Sequence, residues 1–169
     1  PLKQNKLVYN ARSAAIFGFS IFGTKHSYFL NEENKIDYKL LNNFLEKYSN
    51  QNFLIFGFTS LIYENLINKL LSKEVKFNFE NGILIHGGGW KKMEKFKINK
   101  SSFKKKLFEK INLVKVHNYY GLVEQTGSVF IESEKCGYFH TSVFSDIFIR
   151  DKKFNILQNG KKGLIQLIS

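Results

Sequence analysis

Short apolar segments alternate with amphipathic segments through the middle of the chain, and this alternation limits the fold more than any other feature. Each apolar segment is only a few residues long and is bounded by turn residues, as expected of a buried strand. The apolar segments are residues 53–56, 82–85 and 113–118. An order of strand, helix, strand, helix, strand favours a parallel sheet with crossover helices.

The two intervening segments carry apolar residues at helical spacing and start near hydroxyl side chains that can cap a helix. Gly57 is expected to end the first strand just before one of these starts. Helices are predicted from Thr59 or Ser60 through Leu71, and from Ser101 or Ser102 to about Ile111.

The flanking regions complete the predicted fold. The apolar run 14–22, broken by Gly18, predicts a buried strand and a turn, and the periodic segment 36–48 predicts a helix with Asn34 as a nearby cap. After Val129 the segments shorten and alternate with turn residues at 134–137, 150–155 and 158–163. The predicted fold class is α/β, with a parallel sheet and crossover helices followed by a β-rich tail.

Two short motifs fall just after predicted strands. Gly87-Gly88-Gly89 follows the second strand, and residues 120–128 follow the third. Ligands of such sheets bind in loops beyond the carboxyl ends of the strands. Glycines let the backbone approach a flat base closely, Tyr120 offers a stacking face, and Glu124 offers a carboxylate for Mg²⁺. The motifs together predict part of an ATP site.

Each of these residues also has a purely structural interpretation. The glycine triplet alone is typical of a tight turn from strand to helix, Tyr120 could be a core or rim aromatic, and Glu124 a surface carboxylate. The triplet is not a Walker phosphate loop, because the required spacing is absent and Lys91-Lys92 is followed by methionine. Trp90 and Met93 could line an acyl pocket or pack the following turn.

From about Phe53 to Ser169, the chain resembles the acyl-protein synthetases of the LuxE type, a branch of the AMP-binding, adenylate-forming ligases. In the wider superfamily the second motif reads Tyr-Gly-x-Thr-Glu, and Val123 stands here in place of the threonine. The segments that carry the resemblance are residues 56–60, 83–92, 120–128, 137–142, 145–146 and 163–167.

The resemblance implies an enzyme that joins a fatty carboxylate to AMP from ATP and then transfers the acyl group to a thiol. Glu124 would be the catalytic residue that holds Mg²⁺. The residues expected to bind ATP are Gly87, Gly88, Gly89, Tyr120, Gly121, Thr126, Gly127 and Ser128. Acyltransferase and reductase subunits or an acyl carrier are the expected partners. The acceptor in this family is a cysteine near the C-terminus, so that role is not assigned to Cys136.

Several superfamily features cannot be placed in the chain. These are a Ser/Thr/Gly-rich phosphate loop, a ribose-binding aspartate and a small C-terminal domain with a catalytic lysine. The 169 residues are therefore expected to form a single piece from the central part of a larger adenylate-forming domain, and to be inactive alone.

Composition bears on the remaining function classes. The net charge of +12 is carried by lysine, since Arg12 and Arg150 are the only arginines. Base and bidentate phosphate recognition favour arginine, so nucleic-acid binding is not predicted. The chain has no apolar run of membrane-spanning length, and its single cysteine, Cys136, is consistent with a reducing, cytoplasmic setting. A non-catalytic nucleotide-binding module and a basic interaction module stay open as alternatives.

Overall fold

A computed structural model describes residues 11–69, 77–121 and 128–168. In this part of the chain the helices are α1 (Ala11–Ser20), α2 (Tyr38–Tyr48), α3 (Thr59–Ile62) and α4 (Lys100–Ile111). The strands are β1 (Phe53–Phe58), β2 (Gly82–Gly87), β3 (Lys115–Gly121), β4 (Val129–Glu132), β5 (Phe139–His140), β6 (Asp146–Arg150) and β7 (Leu164–Ile168). A π-helical segment, Tyr63–Asn68, continues α3, and a 3₁₀ segment, Lys91–Phe96, follows β2.

The strands form one five-stranded sheet in the order β1-β2-β3-β4-β5 and a separate pair, β6-β7. β1 and β2 are parallel, with Phe53 opposite Gly82 and Phe58 opposite Gly87. β3 and β4, β4 and β5, and β6 and β7 pair antiparallel. The predictions of an α/β fold and a β-rich tail are therefore confirmed, but the sheet is mixed rather than wholly parallel.

The chain divides into two compact units, Pro1–His117 and Asn118–Ser169. The core of the first unit is built from α2, the π-helical segment, β2 and α4. On α4 the buried side chains are Phe103, Leu107 and Ile111, four residues apart, which is the spacing of one helical face. Full burial of each such side chain contributes about 1.5–3 kcal/mol. Among the described residues, no helix is both long and apolar enough to cross a bilayer.

In the second unit, β4 alternates between the interior and solvent. Phe130 and Glu132 are buried, whereas Val129 and Ile131 are exposed. The buried Glu132 carboxylate accepts a hydrogen bond from the backbone N–H of Asn118 at 3.2 Å. This bond compensates part of the cost of burying a carboxylate.

The predicted strand within residues 14–22 is wrong, because residues 14–20 belong to the helix α1, although the expected turn does follow it. Phe19 is buried and its ring stacks on Phe56 with centroids 4.4 Å apart, while Phe17 and Phe22 are exposed. Apolar residues occupy both faces of α1, so the helical period was hidden in the sequence.

The predicted cap Asn34 is also wrong, because α2 begins later than expected. Asp37 is the cap, and its carboxylate accepts from the backbone N–H of Leu40 at 2.9 Å. Asn34 instead adopts a left-handed conformation in the turn before α2 and accepts a hydrogen bond from Arg12 at 2.7 Å. Asn99 caps α4 in the same way as Asp37 caps α2, which places Ser101 and Ser102 inside the first turn.

β1 is two residues longer than predicted, because Gly57 does not end it. A Cβ atom on Gly57 would lie 2.7 Å from the Cδ1 atom of Ile62, so the glycine allows α3 to approach the strand closely. Thr59 is the first residue of α3 rather than its cap. The predicted helix end at Leu71 lies outside the described residues.

Candidate functional site

The glycine triplet forms the end of β2 and the turn that follows it. Gly88 and Gly89 have φ angles of +79° and +65°, in the left-handed region that favours glycine. A Cβ atom on Gly88 would lie 2.7 Å from the ring of Phe58, whereas one on Gly89 would meet nothing within 4 Å. Gly88 is therefore required by packing. Gly89 presents bare backbone to open space, which fits contact with a flat base.

Two buried polar side chains hold the triplet in place. The hydroxyl of Thr59 donates to the carbonyl oxygen of Gly87 at 3.0 Å and lies 2.9 Å from Nδ1 of His86. Because the hydroxyl has one proton, the geometry assigns a donating N–H to Nδ1. The His86 ring also packs on Phe103, with centroids 4.8 Å apart. Thr59, itself held by His86, thus fixes the position of the backbone at Gly87.

The residues after the triplet combine packing with charge. Trp90 packs edge-on against Tyr63, at 4.8 Å between centroids, and Met93 packs against the core. These contacts match the packing role considered for both residues. Lys91 is exposed, and its Nζ atom lies 5.6 Å from the centroid of the Phe58 ring. A cation therefore lies close to the glycine triplet.

Tyr120 lies within β3 rather than after it, opposite Phe130 on β4. Its ring is 6.1 Å from the ring of Phe130 and 6.3 Å from that of Phe139, and the residue is 44% exposed. Tyr120 is thus supported by aromatic neighbours while part of its surface stays accessible, as stacking on a ligand requires. Gly121, the last residue of β3, pairs with Val129.

Ser128 is buried in the second unit, where a short chain of hydroxyls begins. Its Oγ atom is 3.3 Å from Oγ of Ser145, which is 3.0 Å from Oγ of Ser142. Three predicted site residues, Glu124, Thr126 and Gly127, lie outside the described residues, and their roles stay predictions. Within residues 11–69, 77–121 and 128–168, no cluster of three His, Cys, Asp or Glu side chains is suited to hold a metal ion.

A further pair, Cys136 and His140, was not recognised in the sequence as a functional unit. The turn between β4 and β5 places Sγ of Cys136 3.0 Å from Nε2 of His140. The hydrogen bond to His140, followed by those to the backbone of Tyr138 and the hydroxyl of Ser133, lowers the pKa of Cys136 to about 7. The thiol is exposed, so its thiolate is accessible near neutral pH. The one available signal was the four-residue spacing across a turn.

Comparison with known proteins gives one family assignment. The family described as acyl-protein synthetase, LuxE, matches residues 1–169, which is the whole chain. The match extends the resemblance to the 52 residues before Phe53. No curated protein matches the chain. The chain belongs to the LuxE acyl-protein synthetase family.

Proposed function

We propose that this chain is part of an ATP-dependent ligase that activates a fatty or other carboxylic acid as an acyl-adenylate and transfers it to a thiol. Membership of the acyl-protein synthetase family supports an enzyme of the ligase type. The observation that best supports nucleotide binding is the conformation of Gly89, whose left-handed backbone faces open space just after β2. Its place just after β2 puts this side-chain-free backbone where ligands of such sheets bind.

Different predicted site residues would contact different parts of the nucleotide. Gly87, Gly88 and Gly89 would lie against adenine, and Tyr120 would stack on it, with Gly121 beside it. Thr126, Gly127 and Ser128 would line either the phosphate side or the acyl side of the site. Backbone N–H groups and hydroxyls are suitable donors for phosphate oxygens. Buried Thr59 and His86 would keep the triplet rigid, which lowers the entropic cost of binding.

The chemistry has two steps. A carboxylate oxygen attacks the α-phosphorus of ATP, the bond from that phosphorus to the bridging oxygen breaks, and pyrophosphate leaves. A thiolate then attacks the acyl carbon and AMP leaves. Because two anions meet in the first step, positive charge must offset their repulsion. Glu124 would hold Mg²⁺, which supplies such charge when it is bound.

The acyl group then has to reach another protein or group. Acyltransferase and reductase subunits, or an acyl carrier, are the proposed partners in a cytoplasmic setting. The lysine-rich composition, with a net charge of +12, would steer ATP and an acidic carrier toward the enzyme.

Carboxylate-dependent release of pyrophosphate by the full-length protein tests this function. We expect release only when ATP, Mg²⁺ and a carboxylic acid are all present. Glu109→Gln, which removes an exposed carboxylate on α4, is the matched control and should behave as wild type. ATP binding without pyrophosphate release from any carboxylic acid would instead indicate a non-catalytic nucleotide-binding module.

A further inference from the structure

The first unit contains a cavity of about 790 Å³ between α1, the loop that follows it and β1. Small-molecule sites typically measure about 300–1,000 Å³ and are lined mainly by apolar side chains. Apolar side chains of α1, the loop that follows it, α2 and β1 make up most of this lining, and polar residues of the loop, such as Lys25 and Glu32, complete it. The cavity is therefore large enough, and apolar enough, for a long aliphatic group.

One face of β1 forms a wall of the cavity. Phe56 stacks on Phe19 of α1, and the ring of Phe58 lies edge-on to Phe56 at 5.9 Å. Leu54 also lines the cavity and shares this face, because side chains two residues apart on a strand point the same way. Phe53 and Ile55 also line the cavity and in addition pack against the core. Leu54 and Phe58 thus mark two ends of an apolar wall about 13 Å long.

Phe58 connects this wall to the glycine triplet. It lines the cavity, pairs with Gly87 across the sheet, and its ring lies against the bare backbone of Gly88. Lys91 places a cation 5.6 Å from the centroid of the same ring. An apolar chain along β1 would thus end beside a positive charge and beside the proposed nucleotide site, which suits a carboxylate head.

We propose that this cavity holds the aliphatic chain of the carboxylic acid, with the carboxylate at the Phe58 end and the tail at the Leu54 end. The assignment rests on the proposed function and makes Leu54 a residue that determines the accepted chain length. Lys91 attracts the carboxylate, and the ring of Phe58 packs against the part of the chain next to it.

Binding without ATP tests the assignment. Kd values for saturated carboxylates from octanoate to hexadecanoate would be measured on the full-length protein by displacement of a fluorescent fatty acid. In wild type each added methylene should tighten binding about fourfold until the cavity is full. Leu54→Trp fills the distal end, so octanoate should keep its Kd within about twofold while hexadecanoate binds about tenfold or more weakly. Phe108→Trp, at an exposed position of α4, is the matched control and should change neither value.

Two further variants test the cavity volume and the recognition of the carboxylate separately. Leu54→Phe adds less volume and should give an intermediate loss for hexadecanoate, which covers the case in which tryptophan unfolds the protein. Lys91→Gln should weaken a carboxylate several-fold and leave the fatty alcohol of equal length unchanged. Equal Kd profiles for wild type and both Leu54 variants, or no binding of any fatty acid, would overturn the assignment.

The two proposals can fail separately. Pyrophosphate release with the same chain-length preference in wild type and Leu54→Phe would refute the cavity assignment and leave the ligase function intact. Chain-length-dependent binding that responds to Leu54, without pyrophosphate release from any acid, would support the cavity and refute the ligase function.

Discussion

Replacing Gly89 by alanine separates a ligand-binding turn from a merely structural one. At φ +65° a side chain costs about 1–2 kcal/mol, partly offset by the lower entropy of the unfolded chain, which leaves a net loss of roughly 1 kcal/mol. The added methyl meets nothing within 4 Å, so no clash adds to this cost. The midpoint of thermal unfolding should fall by roughly 2–4 °C. ATP affinity should fall about tenfold or more, because the methyl would occupy the space of the base.

Two other glycines serve as controls. Gly160, with φ +84° and equally open surroundings, lies in the turn before β7, so Gly160→Ala should show the same loss of stability with unchanged ATP affinity. Gly88→Ala adds a contact of 2.7 Å with Phe58 and should cost about 2–4 kcal/mol in total. The assays are calorimetric titration with ATP and differential scanning calorimetry of the full-length protein. If Gly89→Ala and Gly160→Ala bind ATP like wild type, the triplet is a turn and nothing more.

Three further outcomes are expected. Glu124→Gln should lower pyrophosphate release about 10²–10³-fold, whereas Tyr120→Ala should chiefly raise the Kd for ATP. If Glu124→Gln keeps wild-type turnover at every Mg²⁺ concentration, Glu124 is a surface carboxylate. The rate of Cys136 alkylation by iodoacetamide should reach half its maximum near pH 7, and His140→Asn should move that midpoint to higher pH. An unchanged midpoint in the variant would refute the Cys136–His140 interaction. Cys136→Ser should leave thioester formation intact, and loss of acyl labelling in a folded variant would show that Cys136 is the acceptor.

The sequence predicted the elements whose apolar period is clear and missed those where it is hidden. α4 and the parallel pair β1-β2 combine one apolar face, or a short apolar run, with obvious boundaries, so their positions were predicted within a few residues. The period of α1 was hidden because Phe17, though apolar, is exposed on the helix, and the apolar run continues past its end to Phe22. The cap at Asp37 was missed because Asn34, which is also a common capping residue type, lies three residues earlier in the sequence.

The candidate site shows the same division. The position of Gly87 at the end of β2 follows from local sequence. The contact of Thr59 with His86 joins residues 27 positions apart, and no local pattern reports it. The cavity beside β1 was likewise out of reach, since it depends on α1 lying across a strand more than thirty residues later. Contacts that depend on tertiary packing can be identified only once the fold is known.

Isotope transfer tests the central claim, adenylation of a carboxylic acid, most directly. The full-length protein would be incubated with ATP, Mg²⁺, a thiol acceptor and a fatty acid labelled with ¹⁸O in its carboxylate, and the nucleotide and phosphate products analysed by mass spectrometry. Attack of the carboxylate on the α-phosphorus leaves one labelled oxygen in AMP after the thiol takes the acyl group. We expect ¹⁸O in AMP and none in pyrophosphate. Label in inorganic phosphate with formation of ADP, or no label in any product, would contradict the mechanism.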